Sequence, residues 1–331
     1  MAPEVAEGAV EDFAASDIDR QIAGRSPWQL ASRRFRKDKV SMVAATIVVI
    51  AVAIALISPF LKKFGLLKPY ENHQNLVGGI GSVPTGSFGG ASWSHPLGVV
   101  PGTGWDLLAR LIPGISLSLL IATSATLFSI LLGTIAGLVS GYLGKWPDFW
   151  ISRSVDLVLA FPQLLMLLAL SSVLVNRIQQ IPGLSSDSTA RVVYLIFVLG
   201  FFGWPYFARI IRGQVLSLRE REFVEAARSL GANHRRIYVK ELLPNLWAPL
   251  LIYFTLNLPT NISAEAALSY LGVGVASPTP TLGTLLTDSS VYSGSDPTFF
   301  FIPGVTICII VLSFNLMGDG LRDALDPKSS R

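Results

Sequence analysis

The run VSMVAATIVVIAVAIALISPF, from Val40 to Phe60, contains no charged side chain. A hydrocarbon core about 30 Å thick takes about 20 apolar residues in a helix, so this stretch reads as a complete membrane crossing. It sets the solvent for the rest of the chain: over 331 residues, 51% of side chains are hydrophobic and 15% charged, whereas roughly a quarter are charged in a soluble domain. Working outward, five further segments have the length and apolarity to cross: 114–138, 152–175, 192–211, 246–269 and 299–317. Pro205 and Pro259 interrupt two of them, and such prolines are tolerated where neighbouring helices re-satisfy the backbone. The expectation is an all-α membrane protein with six transmembrane helices.

With the N-terminus inside, 20 of the 26 Lys and Arg fall in the inner connections and tails, the bias that marks cytoplasmic loops. Both termini are therefore expected in the cytoplasm. The net charge of +4 reads as membrane orientation, because the interleaved basic and aromatic residues of a nucleic-acid surface are absent. Residues 1–25 are rich in Glu, Asp and Ala, lack the basic start of a secretory signal, and read as a disordered cytoplasmic tail. Ser26 and Pro27 then open an interfacial amphipathic helix over 26–39, with basic residues from Arg33 to Lys39 at the membrane lipid. The first transmembrane helix takes 40–60 and an extracytoplasmic segment 61–113. A five-helix core spans 114–320 with a cytoplasmic loop at 212–245, and 321–331 form a cytoplasmic tail.

Reactive groups are sparse. The three histidines, His73, His95 and His234, are scattered over both sides in this topology. No His-Glu-x-x-His, no Gly-x-Ser-x-Gly and no Gly-x-x-x-x-Gly-Lys-Ser/Thr occurs. No catalytic, metal or cofactor site follows, and if ATP drives this protein a partner binds it. Cys308 lies in an apolar run and reads as core packing. Gly133, Gly137 and Gly141 put small residues on one helix face, which suits close packing within the bundle. Asp156 is spaced to pair with Arg153. Glu265 is an ionisable group inside a span, where it either hydrogen-bonds within the bundle or lines a translocation path.

One long polar stretch interrupts the oil: EFVEAARSLGANHRRIYVKELLP, residues 222–244. Arg221, Glu225 and Arg228 are spaced for compensating charges on one helical face, and Phe223, Ala226, Ala227 and Leu230 for an apolar stripe. Gly231 suits a helix stop and Asn233 the cap of a second helix, until Leu243 and Pro244 turn the chain into the fifth span. By periodicity alone, this helix, turn and helix is either a solvated loop resting on anionic lipid or a docking element.

The order of residues decides between them. Glu225-Ala226-Ala227, then Gly231, Ile237 and Leu243-Pro244, resembles the EAA motif of permease subunits from bacterial ATP-binding-cassette (ABC) importers. His95-Pro96-Leu97-Gly98, Asp106 to Gly114, Ala267 to Gly274 and Phe314 to Pro327 resemble the C-type permease of dipeptide, oligopeptide and nickel importers. The likeness runs over residues 28 to 327, and departs from the family pattern at Val99-Val100, Trp105 and Ser116.

The resemblance implies a type I importer permease in a bacterial inner membrane. It would work with a B-type permease, an extracytoplasmic substrate-binding protein and two cytoplasmic ATPase subunits that hold ATP and Mg. It makes Glu225, Ala226, Ala227, Arg228, Gly231, Ile237, Leu243 and Pro244 the ATPase-coupling residues, and a peptide the substrate. Nickel or another small solute is the alternative within the family. A secondary transporter or channel acting alone would instead show inverted repeats and charge-lined spans, and a membrane enzyme would show a catalytic constellation.

Overall fold

The computed structural model describes residues 27–79 and 81–325. Residues 1–25, the Ser26 cap and 326–331 lie outside the described residues. Helix α1 (Pro27–Lys37) ends at Asp38, which caps α2 (Lys39–Lys63) by accepting from the Val40 amide at 3.0 Å and from the Ser41 hydroxyl. The uncharged run thus sits inside a helix slightly longer than expected. A connection with one small hairpin, β1 (Val77–Gly78) against β2 (Val83–Pro84), leads to α3 (Leu107–Leu143), capped by Asp106.

Gly144, at φ +63°, stops α3 and starts α4 (Lys145–Ala160). The third expected span then fails as a continuous helix: α4 and α5 (Gln163–Gln179) meet at 87° across Phe161 and Pro162. A proline ring clashes with helical backbone on the residue before it, and Phe161 is extended, at φ −83° and ψ 133°. By contrast, Pro205 and Pro259, the expected interruptions, lie within unbroken helices α6 (Asp187–Leu218) and α8 (Trp247–Tyr270). Hydroxyls from neighbouring helices donate to carbonyls near Pro205, Ser129 to Gly200 at 2.8 Å and Tyr253 to Gly203 at 3.0 Å, the kind of support that makes a buried proline tolerable.

Between α6 and α8 lies α7 (Glu222–Ser229); after α8 come α9 (Leu282–Ser290) and α10 (Pro297–Leu325). Helix α10 runs to Leu325, so residues 321–325 are helical. Helices α2, α3, α6 and α10 are each long and apolar enough to cross a membrane, and the bent α4–α5 pair adds a fifth if it is one span. The remaining expected span, α8, is not among them; it carries Asn257, Asn261 and Glu265 within its 24 residues.

The bundle is organised around α3 and α6. Their contact is the glycine stripe: a Cβ at Gly133 would lie 2.9 Å from the Phe207 ring, one at Gly137 2.6 Å from Ile211 Cβ, and one at Gly141 2.8 Å from Val215 Cβ. The expected packing within the bundle is what the stripe does. Val48, Leu111, Leu258, Leu282 and Phe314 join α2, α3, α8, α9 and α10 in a second core region. Cys308 departs from expectation, since it is exposed on α10 beside the exposed Val305 and Leu312. That face of the helix is apolar surface, not core.

Candidate functional site

The polar stretch is built as a bracket on the end of the α3–α6 pair. Helix α7 has eight residues, too few to be stable alone in water. Tertiary contacts hold it. Val224 is fully buried and packs in one cluster with Tyr142, Ile211, Val215, Ile237, Leu242 and Leu246. Arg228 lays its guanidinium 4.9 Å from the centre of the Tyr142 ring and donates from Nε to the Tyr142 hydroxyl at 3.2 Å. Tyr142 also meets the rings of His234 and Tyr238 edge-on, at 5.7 and 5.2 Å.

The turn after α7 is a closed Schellman motif. The Gly231 amide donates to Arg228 O at 2.9 Å and the Ala232 amide to Ala227 O at 3.0 Å, which satisfies carbonyls the helix end would leave open. Gly231 has φ +77°, and a Cβ there would meet nothing within 4 Å; it is present for backbone conformation, not close approach. Asn233 then caps the next turn, its side chain accepting from the Arg236 amide at 2.9 Å. The chain continues as a short α-turn (His234–Arg236), a π-helical stretch (Ile237–Leu242) and a 3-10 turn (Leu243–Asn245) into α8.

The eight expected coupling residues therefore divide by position. Glu225, Ala226 and Arg228 are exposed and Ala227 is half-buried, all on α7, with Gly231 exposed at its end. Ile237 is buried, Leu243 half-buried and Pro244 exposed at the 3-10 turn. The expected charge pairing of Glu225 does not occur. Among the described residues it makes no ion pair, because Arg228 is drawn to Tyr142 and Arg221 sits ahead of the helix. The apolar stripe is also altered: Phe223 and Leu230 are exposed, at 38% and 86%, and Val224 is the residue that packs. Tyr142 and Val224 went unnoticed in the sequence. Only the placement of Tyr142 right after the glycine stripe hinted at its role.

Behind the bracket, α4 and α6 are joined by ion pairs. Arg212 makes two contacts with Asp148, and burial is slight enough that this bonding holds the Asp148 carboxyl below the usual carboxylate range. Asp156 pairs with Arg209 at 2.7 Å as well as with Arg153 at 3.7 Å, so the expected helical neighbour is the weaker partner. Ser140, Ser152, Asp156, Arg209 and Arg212 line a cavity of about 290 Å³ there.

Glu265 lies elsewhere, in the interior. It is fully buried, and its oxygens accept from Ser118 on α3 at 2.8 Å, Ser269 on α8 at 3.0 Å and Thr281 before α9 at 2.8 Å. Ser118 in turn accepts from the Leu282 amide at 3.0 Å. These bonds join α3, α8 and the start of α9 at one buried carboxyl.

At the opposite end of α3, His95 Nδ1 is 2.6 Å from Asp106 and the His73 ring lies 4.5 Å from that of His95. Two of the three histidines, both in the segment 61–113, are thus neighbours, while His234 lies apart in the 212–245 loop. Among the described residues no group of three or more His, Cys, Asp or Glu is placed to hold a metal. Arg110, also unforeseen, is 1% exposed, stacks 4.3 Å from Trp105 and donates to Pro278 O at 3.2 Å. Its other neighbour, Asp288, has its carboxyl pushed up by burial.

The geometry defines a class of architecture: a multi-helix membrane bundle with a short helix mounted on the end of its central pair. Residues 129–331 match the family described as binding-protein-dependent transport system inner membrane component, and residues 26–76 match the N-terminal transmembrane domain of oligopeptide transport permease C. The chain belongs to this family of ABC transporter permeases, and within it is similar to the OppC and DppC permeases.

Among curated relatives, it is 34% identical to the dipeptide transport system permease protein DppC of Alkalihalophilus pseudofirmus, over 93% of this chain and 92% of that one. It is 32% identical to the oligopeptide transport system permease protein OppC of Haemophilus influenzae, over 96% and 94%. It is 33% identical to the glutathione transport system permease protein GsiD of Escherichia coli, over 92% and 91%. Among solved structures, an inward-facing MetNI methionine ABC transporter chain superposes with TM-score 0.51 at 22% identity, covering 66% of this chain and 98% of that one. This likeness shows the type I ABC permease fold.

Proposed function

We propose that this chain is the C-type permease of an ATP-driven importer of small peptides, forming half of a translocation path with a B-type permease. Both termini lie in the cytoplasm, an extracytoplasmic binding protein delivers substrate, and two cytoplasmic ATPase subunits hold ATP and Mg. The observation that carries this reading is the mounting of α7: Val224 and the Arg228–Tyr142 contact fix it to α3, while Phe223, Glu225, Ala226 and Leu230 are left exposed. A helix held in this way transmits force if a partner's two states contact that face differently. Glu225 supplies a free charge to a groove, Ala226 and Ala227 allow close approach, and Gly231 makes the turn.

Peptides are favoured because the three relatives named above transport dipeptides, oligopeptides and glutathione, which is itself a tripeptide. The test is purification of the intact complex through a tag on this chain, with identification of what its binding protein carries. Recovery of a second permease, ATPases and a peptide-loaded binding protein is the expected result. Uptake by this chain alone in vesicles without ATP would overturn the reading.

A further inference from the structure

Helices α2 and α10 enclose an apolar groove at the end of the bundle where α1 joins α2. Its volume is about 420 Å³. Ala44 and Ser313, both nearly buried, form the floor, and the exposed Val43 and Leu312 stand at the walls with Ile47 and Ile309. Lys39 lines the mouth. Arg33, Arg36 and Lys37 on α1 are exposed, and among the described residues none of them, nor Lys39, has an ion pair. The nearby acid, Asp38, is engaged as the α2 cap by the Val40 amide and the Ser41 hydroxyl.

An apolar slot between two helices long and apolar enough to cross a membrane, with Lys39 at its mouth and Arg36 and Lys37 just before it in the chain, matches one ligand chemistry. We propose that this groove binds an anionic phospholipid. Its acyl chain fills the slot and its phosphate sits at Lys39, with Arg36 and Lys37 adding charge. Lys39 has the form for this, since a lysine stem lies along apolar surface while its ammonium reaches the headgroup layer. The binding has a mechanical meaning. The Ser41 hydroxyl donates to Leu316 O at 3.2 Å, and a Cβ at Gly320 would meet Ser41, so the lipid spans a joint where the first membrane helix already touches α10. Placing the site in the cytoplasmic leaflet rests on the orientation proposed above.

The probe is photoactivatable phosphatidylglycerol, added in trace amounts to phosphatidylcholine nanodiscs that hold the complete complex. Adducts should concentrate on residues 39–47 and 309–313, the two walls of the groove. Unlabelled phosphatidylglycerol should compete and added phosphatidylcholine should not. Lys39→Gln should lower labelling about fivefold, the effect of one cation near an anionic surface, and adding Arg36→Gln should lower it further. Ser313→Phe, which fills the floor without changing charge, should also lower it. Equal competition by phosphatidylcholine would show ordinary boundary lipid and overturn the proposal. So would adducts that appear only after the partner permease or residues 1–26 are removed, because another occupant then covers the groove. Leaflet is read separately, from impermeant maleimide on Ser32→Cys in a Cys308→Ser background: labelling from outside would overturn the orientation while leaving the competition result intact.

Discussion

Arg212 and Asp148 form a two-point ion pair, Nε to Oδ1 at 2.6 Å and Nη2 to Oδ2 at 2.7 Å. Arg219, the residue that follows the last turn of α6, donates to Gly141 O at 3.1 Å. The last turns of α6 are thereby tied to both α3 and α4 just before α7 begins. Both side chains of the pair are partly exposed, so its worth to stability is about 1 kcal/mol at most. Its greater value is direction, because a bidentate guanidinium fixes geometry. Asp148→Asn should fold almost as well as the parent yet lower the substrate-stimulated ATP hydrolysis of the assembled complex. The double exchange Asp148→Arg with Arg212→Asp should recover part of it. Hydrolysis unchanged in the single variant would show that the pair has no part in coupling.

The exposed face of α7 is tested by Glu225→Lys and the turn by Gly231→Pro. The first reverses a charge that has no ion-pair partner among the described residues, so membrane insertion should be normal while ATPase subunits co-purify poorly and uptake fails. The second demands φ near −65° where the backbone has +77°, and deletes the amide that bonds Arg228 O. Its local cost is about 3 kcal/mol or more. Gly231→Ala, at about 1–2 kcal/mol for a side chain in the left-handed region, should show an intermediate loss. Normal uptake by Glu225→Lys would remove the docking assignment.

Glu265 accepts from three hydroxyls, those of Ser118 on α3, Ser269 on α8 and Thr281 before α9. Glu265→Ala would leave Ser118, Ser269 and Thr281 short of an acceptor in the interior, at about 1–3 kcal/mol per unsatisfied group. Thermal unfolding in detergent should fall sharply. Glu265→Gln, which keeps one acceptor oxygen, should fall less. A stable Glu265→Ala protein with altered substrate selection would instead point to a path-lining role.

Gly137→Leu should prevent α3 and α6 from closing, since even a Cβ at Gly137 would approach Ile211 Cβ to 2.6 Å. Overpacking of this kind costs about 1–3 kcal/mol or more. Gly213, on α6 with open space around its would-be Cβ, is the control: Gly213→Ala should be tolerated and give full-length protein in the membrane at parental levels.

Asp288 carries a pH signature. Its carboxyl is pushed above the ordinary range by burial, which outweighs the Ser277 hydroxyl and the Arg110 charge. The folded state therefore holds this proton more tightly than the unfolded chain. The group's contribution is fully present below the ordinary carboxylate pKa of about 4 and is lost as pH rises through the raised value. Unfolding temperatures compared between about pH 4 and about pH 7 should show a smaller fall in Asp288→Asn than in the parent. An identical profile would mean the folded carboxyl is not perturbed.

The readings that held were those set by local chemistry along a single chain. The uncharged run 40–60 became α2, the cap Asn233 and the helix stop Gly231 stood where residue type put them, and the glycine stripe found a partner helix. What failed needed knowledge of neighbours. Pro162 breaks a helix while Pro205 and Pro259 do not, although all three share the same chemistry, because hydroxyls of adjacent helices support the backbone near Pro205. Arg228 turned from Glu225 to Tyr142 because an aromatic face and a hydroxyl were within reach across 86 residues of sequence.

By itself the sequence determined that this protein lives in a membrane, that its helices run in this order, and that residues 222–244 form a helix, a glycine turn and a second helical stretch; hydropathy, caps and φ preferences are properties of a residue and its immediate neighbours. The tertiary structure alone decided that Val224 and Tyr142 mount that helix on α3, that Glu265 closes the junction of α3, α8 and α9, and that α2 and α10 leave a groove with Lys39 at its mouth. Those outcomes depend on which distant side chains arrive within a few ångströms, and sequence spacing carries no record of that distance.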